Sequence, residues 1–210
     1  MKKIDKAIKY AMEKHQGQYR KDSGIPYITH PLEVMKLISN WGFVDEDILC
    51  AAILHDVIED CGVTKEDIAF EFGLEVAMMV QECTRKEEDG KDTKGKWSFM
   101  MSFYEKSEES VIIKLADRIC NVKDYIISEK NVYASWYSLQ AHSLMERYTL
   151  MNFSQKENMS IDMYFLQSIA YQFFEELLPY VYGKTLDNME FTQELLEKVK
   201  YICINGKPDV

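Results

Sequence analysis

The chain has 210 residues, 47% of them apolar and 29% charged, and its acids outnumber its bases 35 to 25 for a net charge of −10. That composition supports one ordinary domain with a sizeable core, or two small ones, and excludes a wholly disordered chain. The acidic balance argues against non-specific nucleic-acid binding, which needs a basic surface, but it leaves room for a small anionic ligand in a local basic pocket.

No apolar run approaches the roughly 20 residues that span a bilayer. The start, MKKIDKAIKYAMEKHQGQY, lacks the apolar centre of a signal peptide. Cys50, Cys61, Cys83, Cys120 and Cys203 are widely spaced, odd in number and free of any C-x-x-C, so reduced thiols in a cytoplasm are expected rather than a disulfide scaffold or a zinc ribbon. With only four prolines and nine glycines, long helices are favoured over many short strands, and the expected class is all-α.

In chain order, residues 3–18 carry Ile4, Ala7, Ile8 and Ala11 at helical spacing. The segment QYRKDSGIPYITHP then reads as a loop, with Pro31 opening a helix that turns Val34, Leu37 and Ile38 inward and stops near Gly42. Residues 45–60, DEDILCAAILHDVIED, predict a central helix that is apolar on nearly every side. Thr64 followed by Asp67 marks a helix start, and Gly73 divides two short helices. RKEEDGKDTKGK (85–96) reads as an exposed loop and 111–127 as a second strongly periodic helix. Helical patterns recur at 134–151, 161–178 and 190–202, with the polar stretch 154–160 between them. The expected organisation is a helical core over 1–153 and a helical extension over 154–210 packed on it. Core packing is the expected role of the aromatic-rich C-terminal region, which also leaves room for a homodimer interface or a lid.

The chemistry concentrates on two helices. His55, Asp56, Glu59 and Asp60 are expected to cluster on one helix face, and burying that many polar groups unpaired costs several kcal/mol each, roughly. A divalent metal compensates most directly. Lys114, Asp117, Arg118, Asn121 and Asp124 follow three- and four-residue spacing on the second helix, which makes Asp117 a further candidate ligand. His30, at the end of the loop, is a fourth. Two imidazoles and two carboxylates suit manganese, iron or zinc. His15 is expected to pack or bond the loop, and His142 to be structural.

The segments HQGQYRKDSGIPYITHP (15–31), AAILHDVIED (51–60), FG (72–73) and IKLADRICNVKD (113–124) lie in order over about two-thirds of the chain. With them the sequence resembles the HD-domain hydrolases of the RelA/SpoT type, particularly the small stand-alone alarmone hydrolases. The resemblance implies an all-α HD-domain helical bundle, here with extra C-terminal helices. It implies one Mn²⁺ held by His30, His55, Asp56 and Asp117, and hydrolysis of the 3′-diphosphate of ppGpp or pppGpp to GDP or GTP and pyrophosphate. On matching positions Glu59 and Asp60 form the catalytic acidic pair. Arg20, Lys21 and Ser23 belong to the nucleotide loop, Asn121 to a ribose or phosphate contact, and Tyr125 falls nearby. Lys114 adds positive charge for a polyanion. Cys120 and Asp124 depart from the residues common in the family. The alternatives are the same chemistry on another nucleotide, such as ppApp or NADPH, and a catalytically inactive nucleotide-binding regulatory module. No synthetase region is recognisable, and neither nucleic acid nor membrane is an expected partner.

Overall fold

Helix follows helix along the chain in the computed structural model, which describes residues 2–21, 23–86 and 93–128 and then 130, 133, 134, 136–138, 140, 141 and 144. The elements are α1 (Lys3–Lys14), α2 (Thr29–Asn40), α3 (Glu46–Leu54), α4 (Val57–Cys61), α5 (Lys65–Phe72), α6 (Leu74–Cys83), α7 (Thr93–Ser102) and α8 (Glu108–Ile127), with a 3₁₀ turn at Phe103–Glu105. Among the described residues there is no strand, and an isolated antiparallel bridge joins Tyr19 to Pro26. The all-α expectation holds.

α3 is the axis of the fold. Asp45 caps it, its Oδ1 accepting from the amides of Asp47 at 2.8 Å and Ile48 at 3.2 Å. Every residue from Ile48 to Leu54 is buried. The helix touches α1, α2, α6 and α8, which is why it is apolar all round. Ala7 and Ala11 bring α1 close to it, and Val34 and Ile38 turn α2 inward. α8 packs on α2, α3 and α6 through a face that includes Val111, Ile113, Ala116 and Ile119. Thr64 and Asp67 form a reciprocal capping box at the start of α5. Gly73, at φ 93°, joins α5 to α6 in a conformation that strains any residue with a Cβ.

The structure corrects four expectations. The central helix is not continuous over 45–60: α3 ends at Leu54 and α4 begins at Val57. His55 Nδ1 lies 2.8 Å from the Ala52 carbonyl, so a side-chain donor sits on the acceptor that the amide of residue 56 uses in an unbroken helix. The helix expected from Pro31 starts at Thr29, because the first turn has no need of the missing proline N–H; His30 is therefore helical. The first helix stops at Lys14 rather than running to 18. The exposed loop expected over 85–96 gives way to α7 from Thr93. The expected helices at 161–178 and 190–202, the boundary at 153/154, His142, Cys203 and most of the 134–151 pattern lie outside the described residues.

Candidate active site

Two imidazoles and two carboxylates meet where α2, the α3–α4 break and α8 converge. His30 Nε2 lies 3.2 Å from Asp117 Oδ1 and 3.9 Å from Asp56 Oδ2, while His55 Nε2 lies 3.0 Å from Asp56 Oδ2 and 3.9 Å from Asp117 Oδ1. His30, His55 and Asp117 are almost wholly buried. One ligand atom each from His30, His55 and Asp56 falls within 4.8 Å of the others.

Surrounding groups fix these atoms. With Nδ1–H donated to Ala52, His55 is the tautomer whose Nε2 carries a lone pair, and that buried nitrogen faces no donor, its neighbour at 3.0 Å being the carboxylate oxygen Asp56 Oδ2, itself an acceptor. The Tyr27 hydroxyl donates to Asp56 Oδ2 at 2.6 Å. Burial, then the charge of Asp56, raises the Tyr27 pKa, so the phenol stays a donor. Lys114 Nζ at 2.9 Å and Arg118 at 3.2 Å hold Asp117 Oδ2, and Asn121 Nδ2 donates to Asp117 Oδ1 at 2.5 Å.

Electrostatics state what this cluster lacks. Burial pushes Asp56 upward, yet His55 outweighs it and the carboxyl stays below its ordinary value. Asp117 behaves alike: burial raises it, while Lys114 and Arg118 pull it well below the usual range. Burial lowers His55, but Asp56 more than offsets this and its pKa rises. Ionised acids and an imidazole that seeks a proton mark a site short of positive charge. A divalent cation supplies that charge, and the mixed nitrogen–oxygen donors suit one. The orphaned Nε2 of His55 completes the fit.

Beside the cluster opens a cavity of about 240 Å³. Glu59, Asp60, Lys114 and Asn121 line it together with His30, Asp56 and Asp117. Because the chain breaks at 55–56, His55 turns wholly into the core while Glu59 and Asp60 stay at the rim, so the expected single helix face does not form. Burial, followed by Asp56 and Glu59, raises Asp60 to about 6. Four cationic side chains, Arg85, Lys96, Lys114 and Arg118, face the four carboxylates Asp56, Glu59, Asp60 and Asp117 around the cavity. A divalent cation added to that balanced set makes the lining net positive inside an acidic chain.

The structure leaves other predicted residues outside this lining. Arg20 pairs with Asp124, and at 3.0 Å with Glu33, while its NH2 lies 3.4 Å from His30 Nδ1. Lys21 and Ser23 are exposed, and the Ser23 hydroxyl accepts from the Ile25 amide at 3.3 Å. Tyr125 stacks on Tyr133 and meets the edge of Tyr137, which does line the cavity. Cys120 is buried in the core and lines nothing there, so that departure does not reshape the cavity. His15 bonds Gln18 at 2.8 Å and packs on Tyr27, as expected. Sequence reasoning missed Tyr27, Arg85, Lys96, Tyr137 and Gln140; Tyr27 alone carried a signal, three residues before His30.

The HD domain family matches residues 7–136. The chain is 30% identical over 214 aligned positions to a guanosine-3′,5′-bis(diphosphate) 3′-pyrophosphohydrolase of Spiroplasma citri, covering 99% of this chain and 28% of that protein. It is 37% identical over 123 residues to the guanosine-3′,5′-bis(diphosphate) 3′-pyrophosphohydrolase MESH1 of Xenopus tropicalis, covering 58% of this chain and 68% of that one. The solved structure of a metazoan SpoT ortholog, described as hydrolysing ppGpp, superposes with a TM-score of 0.66 at 25% identity over 84% of this chain and 96% of that one. With the family matched across more than half its length, on the segment that carries the His30–His55–Asp56–Asp117 cluster, the chain belongs to the HD domain family.

Proposed function

We propose that the chain is a metal-dependent hydrolase that removes the 3′-diphosphate of ppGpp or pppGpp, yielding GDP or GTP and pyrophosphate. The observation that carries this reading is the buried four-donor cluster with the unpartnered Nε2 of His55, set beside a cavity lined with basic side chains. The names of the relatives supply the substrate class.

His30, His55, Asp56 and Asp117 would hold one Mn²⁺. When bound, such a cation polarises a phosphoryl oxygen and lowers the pKa of a water toward neutrality. Tyr27 and Asn121 keep Asp56 and Asp117 oriented through their hydrogen bonds. Glu59 orients the attacking water and takes its proton on a carboxylate oxygen. Water adds to the phosphorus bonded to O3′, the P–O3′ bond breaks, and O3′ leaves as a hydroxyl once protonated. Asp60, with its carboxyl near 6, holds or releases a proton close to neutral pH. Lys96, Lys114 and Arg118 stabilise the charge on the departing pyrophosphate. Arg20, Lys21, Ser23 and Tyr125 keep the nucleotide-side role that the family resemblance implies, and Arg20 takes it up by exchanging Asp124 and Glu33 for the substrate. The four described cysteines are free thiols, which supports a cytoplasmic setting.

Product analysis tests the proposal. Purified protein with Mn²⁺ and ppGpp is expected to release GDP and pyrophosphate, and the Glu59→Gln plus Asp60→Asn variant to release neither. Cleavage of ppApp or NADPH in parallel reactions, with ppGpp untouched, would reject the substrate assignment and keep the chemistry.

A further inference from the structure

We propose that Arg85 is a positioning residue that fixes the Glu59 carboxylate at the cavity rim, so that the chain leaving α6 sets the geometry of the step Glu59 serves. This rests on the role given to Glu59 above. Two donors of one residue engage the two oxygens of one carboxylate. The Arg85 amide donates to Oε2 at 3.1 Å and its guanidinium NH2 donates to Oε1 at 3.2 Å.

The local fold explains how that amide becomes available. Thr84 ends α6 in an extended conformation at φ −82°, ψ 127°, and its hydroxyl returns to the Val80 carbonyl at 2.8 Å. The next amide therefore leaves the helical ladder and meets Glu59. Glu59 itself sits on α4, a helix of five residues that resumes after the break at His55–Asp56. So short an element cannot immobilise a three-torsion side chain that is 30% exposed. An ion pair at such exposure contributes little to stability, so its consequence is orientation. Arg85 also borders the cavity, where a free guanidinium would grip phosphate directly. Its engagement with Glu59 favours the positioning role.

The test is a double-mutant cycle of Arg85→Ala and Glu59→Gln, with Arg85→Lys as the conservative variant, read by steady-state and single-turnover kinetics. Arg85→Ala is expected to lower kcat roughly ten-fold, less than the ~10²-fold of a 1 Å misplacement because the backbone donor persists, and to leave KM within about two-fold. Arg85→Lys is expected to recover part of that loss. In the Glu59→Gln background Arg85→Ala is expected to cost nothing further. A raised KM, or an undiminished loss in that background, overturns the proposal in favour of direct substrate contact. Crystal structures of wild type and Arg85→Ala give a readout that needs no turnover. One Glu59 rotamer in wild type and several in the variant support the proposal, and the same rotamer in both overturns it. Failure of wild type to cleave ppGpp would count against the proposed function alone.

Discussion

Lys114 is the cation most deeply committed to the candidate metal site, and replacing it separates a structural ion pair from a metal ligand. Its side chain is 5% exposed and Asp117 is 4% exposed, with Nζ 2.9 Å from Oδ2. Burial pulls the Lys114 pKa down, yet Asp117 and Asp56 act together against it and the net shift is upward. Asp117 is held low in the fold, so the pair contributes its stability above the ordinary carboxylate range and loses it in acid. Removing one partner of a buried pair costs ~3–5 kcal/mol. Arg118 and Asn121 still contact Asp117, which places Lys114→Met at the lower end, about 3 kcal/mol. For a chain of this length ~1 kcal/mol moves Tm by about 2–4 °C, so the metal-free variant is expected to melt about 6–12 °C below wild type at pH 7.5. Mn²⁺ changes the comparison. It compensates Asp117 directly, and it meets one competing cation fewer in the variant. The Tm rise on adding Mn²⁺ is therefore expected to be larger in Lys114→Met than in wild type. Thermal melts of both proteins in EDTA and in excess Mn²⁺ check this. An equal deficit in the two conditions would refute the placement of Asp117 in a metal site.

Tyr27→Phe removes the hydroxyl that orients Asp56 and is expected to weaken Mn²⁺ binding by roughly 10–100-fold with the fold retained, as measured by metal titration and circular dichroism. Asp60 has its pKa raised to about 6, so in metal-free protein its contribution is complete below the ordinary carboxylate range and is lost as pH rises through about 6. Asp60→Asn is accordingly expected to raise the metal-free Tm at pH 8 and leave it unchanged at pH 4. An equal shift at both pH values would contradict that crowding.

The helices and the four-donor cluster were readable because periodicity and residue type act locally or in pairs. Apolar residues all round 48–54 marked α3 as central, and His55-Asp56 with Asp117 announced a shared site. What spacing could not show was the break at 55–56, since it follows from a ring N–H meeting the Ala52 carbonyl, a contact that helical periodicity does not encode. Arg85 gave no signal because it lies 26 residues from Glu59 in sequence and meets it only through the way Thr84 ends α6. The motif around Arg20 implies a substrate contact; its pairing with Asp124 depends on a loop laid across α2 and α8. The departure at Asp124 thereby acquires a physical meaning: it occupies Arg20, on the loop that precedes α2.

The most direct measurement is a metal titration of chelated, dialysed protein in the presence of ppGpp, following pyrophosphate release. No release is expected before metal is added, with full activity at one Mn²⁺ per chain and neither tight Mn²⁺ binding nor activity in His55→Ala. Undiminished pyrophosphate release from the chelated protein, or from His55→Ala, would rule out metal-dependent hydrolysis at this site.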